Sequence, residues 1–246
     1  MTQLCRNSLK TFLSPNVLKT PNAGLLLTRG MAEDKCREND TKKQHIKSIT
    51  ALNPSPLYQQ AYQQWRRVAA DASRFVCKEM NVIGRLYIGV QRDNAVEAGI
   101  STSHVYGMPM IPGSACKGLA RAIAERLGMD KRSKIAYEWT FGTDGDDGEA
   151  GGLIFHDAWW IPEGKPFVAE IITPHHQEYY ATEGEVEATD FDAPIPASQI
   201  ATQGSFYFVV EGDESWASIG LDLLVKGLKE MGVGAKTSSG YGFFKE

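Results

Sequence analysis

The sequence has no long apolar run. Its most apolar stretches, such as SFYFVV and GLLL, are far shorter than the roughly 18 residues that a membrane-spanning helix needs. The first 30 residues also lack the sustained apolar stretch and small-residue cleavage site of a signal peptide. We therefore expect a cytoplasmic protein with no membrane partner. Its 246 residues, 42% of them hydrophobic, are enough to bury a sizeable core.

Cysteine is scarce and never paired along the chain. The four cysteines are each more than 30 residues apart, which excludes the usual zinc spacings and a disulfide scaffold, so we expect reduced thiols. The acidic stretch DGDDGE (144–149) also lacks the calcium-loop spacing, because a glycine stands where a carboxylate or amide ligand is needed. We predict neither a metal ion nor a cofactor.

The C-terminal stretch GVGAKTSSGYG lacks both common nucleotide-binding patterns. It is not a Walker loop, since Ala235 precedes Lys236, and the third glycine of a dinucleotide fingerprint would fall at Thr237. Its glycines let a backbone approach a ligand closely, and its lysine and hydroxyls suit a phosphate. A glycine-rich turn between a helix and a strand explains the same letters. The candidate residues are Gly232, Gly234, Lys236, Thr237, Ser238, Ser239, Gly240 and Gly242.

The stretch IPGSACKG predicts the start of a helix over residues 114–127, because a Pro-Gly pair interrupts the chain and Ser114 is a favourable N-cap. Ser114, Lys117 and Arg121 are spaced to share one stripe of that helix. Together with Gly113, the free N–H groups of the first turn form a candidate phosphate site. An ordinary N-cap followed by solvated basic residues explains the pattern equally well.

These two stretches together also allow a catalytic alternative. Ser114-x-x-Lys117, followed far downstream by Lys236-Thr237, resembles the S-x-x-K and K-T-G elements of penicillin-recognising serine enzymes. The S-D-N element of those enzymes is absent. This serine acyl-enzyme hypothesis is therefore the remotest of those that we consider.

Four histidines are the remaining chemical candidates: His104, His156, His175 and His176. The adjacent pair opens a loop rich in acidic residues, with Tyr179 and Tyr180 behind it. Adjacent histidines rarely chelate one metal ion together, so this pattern favours an exposed polar loop.

The modest net charge of −4 conceals an uneven distribution. Residues 1–140 carry 21 Lys and Arg against 11 Asp and Glu, whereas residues 141–220 carry one against 16. A basic part of this kind is suited to an anionic partner, while the acidic part would face protein neighbours or solvent. A soluble protein with an acidic, loop-rich surface remains the simpler alternative.

Hydrophobic periodicity divides the chain into an extension and a domain. Residues 1–50 are polar and basic, which indicates a loosely docked arm, and apolar residues at helical spacing predict an amphipathic helix over residues 57–78. We therefore divide the chain into an arm with a helix (1–80) and a domain (81–246), which contains an inserted acidic loop around residues 175–197.

The order of predicted elements from residue 85 onward is strand, helix, strands, helix, strand. The predicted elements are strands at 85–90, 151–161, 167–174, 205–210 and 241–245, and helices at 114–127 and 215–232. This βαββαβ order predicts an α+β fold with a ferredoxin-like (RRM-like) core, in which helices cover one face of an antiparallel sheet. Such a fold carries many functions and proves none of them.

Three ordered blocks resemble the RAMP superfamily of CRISPR proteins. GMPMIPGSACKGLAR resembles its IPGSSLKG signature, FGT followed by GGLIFHDA resembles its next block, and GVGAKTSSGYGFF resembles its C-terminal glycine loop and final strand. Within the superfamily, the entry VEAGISTSHVYGMPMIPGS and the segment TPHHQEYY are most similar to the sixth-subunit family of the type III-B Cmr effector complex. The resemblance does not extend to residues 1–80.

The resemblance implies a non-catalytic RNA-binding subunit. Such a subunit binds the CRISPR RNA toward its 3′ end in a ribonucleoprotein that also binds target RNA, and it links repeated backbone subunits, a small helical subunit and a terminal subunit in antiviral defence. It implies RNA contacts from the signature helix and the glycine loop. Further residues are expected to contact RNA or other subunits, namely His104, Tyr106, His175, His176, Tyr179 and Tyr180.

A RAMP endoribonuclease is the second hypothesis. Processing members of the superfamily use a histidine general acid, and slicing members use an aspartate on an inserted loop. His104 lies just before the signature, and Asp190 and Asp192 lie in the inserted loop, so the residue types permit either chemistry. We nevertheless expect no catalytic residue, because the sixth-subunit family is not usually the nuclease.

Overall fold

The computed structural model describes residues 22–30, 39–89, 100–145, 148–173, 179, 182, 184–189 and 196–246. Within these residues, no helix combines the length and the apolarity needed to cross a membrane.

An antiparallel sheet forms the centre of the molecule. The strands are, in chain order, β1 (Phe75–Ile83), β2 (Met110–Ile111), β3 (Ile154–Phe155), β4 (Ala158–Trp160), β5 (Phe167–Ile172), β6 (Ala197–Thr202), β7 (Ser205–Glu211) and β8 (Phe243–Lys245). The main sheet has the order β2-β4-β7-β1-β8, with β3 also paired to β7, while β5 and β6 form a separate two-stranded sheet. The path β4-β7-β1-β8 is the strand order of a ferredoxin-like core, which confirms the predicted fold class.

Helices cover both faces of the sheet. They are α1 (Ala23–Arg29), α2 (Asn39–Thr50), α3 (Pro56–Val68), α4 (Gly113–Arg126), α5 (Met129–Arg132), α6 (Lys134–Phe141) and α7 (Glu214–Glu230). The two core helices α4 and α7 pack closely against each other, because Gly227 admits Leu119: a Cβ at position 227 would lie 2.6 Å from Leu119 Cγ. Asp213 is the N-cap of helix α7, and its carboxylate accepts a hydrogen bond from the Ser215 amide.

Strand alternation divides the central side chains between two clusters. Met80 and Val82 of β1 pack in the main core beneath α4 and α7. Phe75 of β1 and Tyr207 of β7 belong to a second cluster on the opposite face, which also contains Tyr62 of α3. Each face of the sheet is therefore covered by helices, at least in part.

The first core strand lies ten residues earlier than predicted. Helix α3 ends at Val68 and β1 occupies Phe75–Ile83, so the predicted helix over 57–78 was too long. A first strand was predicted over residues 85–90. The described residues of that range, 85–89, form only single bridges, from Leu86 to Thr202 and from Tyr87 to Ala235. Phe75 and Val76 happen to continue the helical spacing of α3, although they belong to a strand. The predicted division of the chain at residue 80 stays a prediction, but it falls inside β1.

The described part of the N-terminal region is packed, contrary to the predicted loose arm. Helices α1 and α2 place Leu26, Leu27, Ile46 and Ile49 in the main core, where each is less than one-tenth exposed. Short helices need only a few apolar residues to pack against the core. The overall polar composition of residues 1–50 therefore did not predict them. Strand β6 was not predicted from the sequence. It begins where the predicted acidic loop ends, and it pairs with β5.

Candidate functional site

The signature helix α4 begins against the strand block that follows it in the sequence. The Gly113 amide donates a hydrogen bond of 2.7 Å to the Asp157 carboxylate, and a Cβ at position 113 would collide with the Phe155 carbonyl oxygen. The N-cap is Pro112, with no side-chain capping bond, and Ser114 is exposed. The predicted Ser114 cap is therefore wrong. Asp157 places a carboxylate where the sequence predicted a phosphate, and a bound anion there would be repelled.

Arg121 is held by other side chains of the protein. Its guanidinium bonds the Asp144 carboxylate at 2.6 Å and 3.2 Å, and it also contacts Glu125 at 3.2 Å and the Tyr137 hydroxyl at 2.7 Å. Tyr137 in turn donates to Glu125. The hydrogen bond from Arg121 lowers the pKa of Asp144, and that from Tyr137 lowers the pKa of Glu125. An RNA phosphate would have to displace Asp144 to reach this arginine.

Lys117 differs from Arg121 although both lie on the predicted stripe of α4. It is half-buried, and within the described residues it makes no ion pair. Of the two basic residues of the stripe, only Lys117 therefore keeps its charge available for a ligand.

The glycine loop after α7 is shaped by close backbone contacts. Gly234 has a φ of 92°, and a Cβ there would collide with the Tyr87 carbonyl oxygen. Gly242 has a φ of 76°, and a Cβ there would collide with the Val233 carbonyl oxygen. These glycines are needed so that the loop can lie against the segment after β1 and against itself.

The amides of the glycine loop are used within the protein. Ala235 donates to the Tyr87 carbonyl at 2.7 Å, Gly242 donates to Arg85 at 2.8 Å, and Val233 donates to Gly242 at 2.9 Å. Ser239, Gly240 and Tyr241 donate to carbonyls within the same loop. Such a loop offers few free N–H groups, so it is unlike an amide nest for phosphate.

Side chains of the glycine loop remain accessible. Lys236, Ser238 and Ser239 are exposed, and Lys236 adopts a left-handed φ of 61°, which is uncommon for a residue other than glycine. The Lys236 ammonium lies 5.8 Å from the centre of the Tyr87 ring, and that ring is 4.9 Å from the ring of Tyr241. The loop therefore presents a cation near the Tyr87 ring, together with two exposed hydroxyls.

Helix α3 covers the sheet face on which RRM domains stack bases. The Tyr62 ring lies 6.2 Å from that of Tyr207, and the Trp65 ring lies 6.1 Å from that of Phe75. Base stacking on Phe75 or Tyr207 is therefore blocked. The amphipathic pattern of α3 was visible in the sequence, but nothing in it showed which surface the helix covers.

His156 belongs to an ion-pair cluster beside α3. Its Nε2 atom lies 2.8 Å from Glu211, which also binds Arg74 at 2.5 Å. The hydrogen bond from Arg74, and then that from His156, lowers the pKa of Glu211. This cluster joins β7 to the turn before β1. Sequence reasoning named His156 but not its partners, because Glu211 is 55 residues away.

The other predicted contact residues are spread over the surface. His104 is exposed, and Tyr106 is half-buried, with its ring 5.8 Å from that of Trp159. Tyr179 is 40% exposed. The remaining predicted residues lie outside the described part of the chain, namely His175, His176, Tyr180, Asp190 and Asp192. Within the described part, no group of three or more His, Cys, Asp or Glu side chains could hold a metal ion.

The fold and the two glycine-dependent turns define a ferredoxin-like α+β protein. Its first core helix starts against the carboxylate of Asp157, between β3 and β4, and its last strand follows a glycine loop. Residues 79–245 match the family model of the RAMP superfamily, and the chain belongs to that superfamily.

The chain is also similar to several known proteins. The chain is 26% identical to the CRISPR system Cmr subunit Cmr6 of Pyrococcus furiosus, in an alignment that covers 95% of this chain and 86% of the relative. It superimposes with a TM-score of 0.66 on a chain in the cryo-EM structure of a type III-B Cmr-β complex bound to cognate target RNA, at 22% identity, covering 87% of this chain and 73% of that one. The crystal structure of Pyrococcus furiosus Cmr6 matches with a TM-score of 0.43 and 22% identity over 70% of this chain and 97% of that one.

Proposed function

We propose that this protein is an RNA-binding subunit of a type III-B CRISPR Cmr effector complex. The observation that carries the proposal is the RAMP match over residues 79–245, supported by the Cmr6 relative that aligns with 95% of the chain. In this role the protein binds the CRISPR RNA toward its 3′ end and links the repeated backbone subunits to the terminal subunit in antiviral defence. Its partners are CRISPR RNA, target RNA and the other Cmr subunits.

Lysines without an ion-pair partner among the described residues are the RNA contacts that the geometry favours. Lys117 on α4 and Lys236 in the glycine loop have no competing carboxylate among the described residues, whereas Arg121 is bound to Asp144. Contacts between lysines and phosphates do not depend on base identity, and a guide-binding subunit must accept every guide sequence. Further hydrogen-bond donors to the RNA sugar-phosphate backbone are the hydroxyls of Thr237, Ser238 and Ser239.

RNA binding by the full-length chain tests this proposal. We expect Lys117→Ala and Lys236→Ala each to weaken binding equally for unrelated 20-nucleotide RNAs, and to lower the slope of log affinity against log salt by about 0.7. Arg121→Ala should have a smaller effect, because its charge is already neutralised by Asp144. Lys47→Ala on the exposed face of α2 is the control. Unchanged affinity and slope for both lysine variants would contradict the proposed contacts.

We also propose that the subunit is not catalytic. Asp190 and Asp192 are the residues that an aspartate-dependent slicer would use, and His104 is the residue for a histidine-dependent processing enzyme. A cleavage assay tests this proposal: the assembled complex is incubated with target RNA. The complex contains the wild-type subunit, an Asp190→Ala/Asp192→Ala double variant or the His104→Ala variant. The same set of cleavage products is expected in all three. Loss of a single product in either variant would support the endoribonuclease alternative instead.

A further inference from the structure

An open apolar groove lies between α6 and α7. It has a volume of about 760 Å³ and is lined by Ser133, Ile135, Ala136, Trp139, Asp213 and Trp216. On α6, Ile135 is 84% exposed, and Trp139, one turn later, is 41% exposed. Exposed apolar residues are ordinary where they stand singly, whereas a contiguous group of them on neighbouring elements marks an interaction site.

The tryptophans of the groove pack against each other and against the backbone. The ring centres of Trp139 and Trp216 are 4.7 Å apart, with 40° between the ring planes. The Trp139 ring lies on Gly152, where a Cβ would be 2.6 Å from its Cζ2 atom, and the Trp139 carbonyl accepts the Gly152 amide. Ile219, three residues after Trp216 and therefore beside it on α7, is 44% exposed and extends the apolar surface. Aromatic side chains that are in place before binding lose little conformational entropy on association, so they are suited to anchor an interface.

Carboxylates border this groove. Asp213 lines it and Glu214 follows; both are exposed, and neither makes an ion pair within the part of the chain that the structure describes. Lys134, next to Ile135, is 3.4 Å from Glu138, so these two residues together add no net charge. No lysine or arginine is among the described residues that line the groove. The apolar surface therefore has an acidic rim.

The charge of the rim restricts what can occupy the groove. The phosphates of a nucleic acid would be repelled by the two carboxylates. Two copies of this chain that met about a two-fold axis would place the same acidic rim against itself. A different protein, with lysine or arginine residues around an apolar side chain, complements both the rim and the groove.

We propose that this groove is the docking site for another protein subunit of the Cmr complex. The partner inserts an aliphatic side chain against Ile135 and the two tryptophans, and it places basic residues against Asp213 and Glu214. Interface residues of this kind carry a large share of the binding energy, because tryptophan is enriched among them and the surrounding contacts exclude water. This inference rests on the proposed function, which supplies the other subunits.

The affinity of the full-length chain for a complex reconstituted from the other Cmr subunits and CRISPR RNA tests the groove. We expect Ile135→Asp to weaken binding by at least about 10-fold, because it places a charge in the apolar contact. Its Tm should equal that of the wild type, since residue 135 is largely exposed in the free chain. Leu57→Asp is the matched control: it changes an aliphatic residue that is 61% exposed at the start of α3, and it should bind like the wild type.

A charge reversal tests the acidic rim. We expect Glu214→Lys to weaken binding by about 3-fold at low salt, and the difference from the wild type should shrink as the salt concentration rises. Glu163→Lys, which changes an exposed carboxylate in the loop after β4, is the control and should bind like the wild type. An unchanged affinity for Glu214→Lys would overturn the basic character of the partner.

A photo-crosslink identifies the occupant. In the assembled complex, Ile135→p-benzoylphenylalanine should crosslink to one protein subunit, in a peptide that carries lysine or arginine near an aliphatic residue. A crosslink to RNA or to a second copy of this chain would overturn the proposal, and so would the absence of any crosslink.

The outcomes separate this inference from the proposed function. If the wild type neither binds RNA nor joins the complex, the proposed function fails and the docking site fails with it. If the wild type joins the complex and Ile135→Asp joins it with the same affinity, only the docking site is overturned. An equal loss of affinity for Leu57→Asp would also overturn the docking site, because the effect would then not be specific to the groove.

Discussion

Replacing Gly234 with alanine tests what the glycine loop requires. At a φ of 92°, an alanine costs about 1–2 kcal/mol in backbone strain. Its Cβ would also collide with the Tyr87 carbonyl oxygen, which accepts the Ala235 amide, so that hydrogen bond would be lost at a further cost of about 1 kcal/mol. We expect the free energy of unfolding to fall by about 3 kcal/mol.

Thermal unfolding followed by circular dichroism measures this loss, with Gly240→Ala as the control. A loss of about 3 kcal/mol lowers Tm by about 6–12 °C in a chain of this size. Gly240 has a similar φ of 86°, but a Cβ there would meet nothing within 4 Å, so only the strain applies and Tm should fall by about 2–8 °C. Equal shifts for the two variants would refute the close-contact argument.

The same control variant separates packing from RNA binding. Gly240 lies at the exposed tip of the loop, where its replacement leaves the contacts with Arg85 and Tyr87 in place. If the glycines serve packing alone, Gly240→Ala binds RNA like the wild type. A marked loss of affinity at an unchanged fold would mean that RNA approaches the backbone at this position.

Three further predictions concern stability. Asp157→Ala removes the carboxylate that binds the first amide of α4, and should lower the free energy of unfolding measured in urea by about 1 kcal/mol; no change would refute its capping role. Tyr58→Phe removes the buried hydroxyl that donates to the Trp160 carbonyl at 2.5 Å, and should cost about 1–3 kcal/mol in the same assay, whereas a neutral result would mean that the carbonyl finds another donor. Arg121 lowers the pKa of Asp144 in the folded state, so this pair's contribution to stability is present above about pH 4 and is lost as the pH falls below it. In the Asp144→Asn variant, Tm should therefore decrease less than in the wild type when the pH is lowered from about 5 to about 2. An unchanged pH profile of Tm would show that the Arg121–Asp144 pair does not stabilise the fold.

Part of the candidate site was accessible from sequence patterns, and part was not. IPGSACKG and GVGAKTSSGYG were identified as two sites. The structure places the first at the start of α4 and the second immediately before β8. Their chemistry was less predictable. Spacing along α4 treats Lys117 and Arg121 alike, and the carboxylate that neutralises Arg121 comes from Asp144, 23 residues later. The carboxylate at the start of α4 comes from Asp157, 44 residues after Gly113.

The elements that the sequence determined by itself are those whose apolar residues recur at a clear helical or strand spacing. The apolar stripes of α4 and α7 and the apolar run of β7 were predicted to within a few residues, and their order was enough for the ferredoxin-like fold. Local periodicity carries this information because a helix or a strand selects its own side-chain spacing.

Only the tertiary structure decided the position of β1, the covering of its outer face by α3, and the partners of the glycine loop. Phe75 and Val76 satisfy a helix and a strand equally, and pairing with β7 settles the choice. Gly234 must be a glycine because of Tyr87, which is nearly 150 residues earlier in the chain. Contacts of this range depend on how complete elements pack, and no local pattern of residues records them.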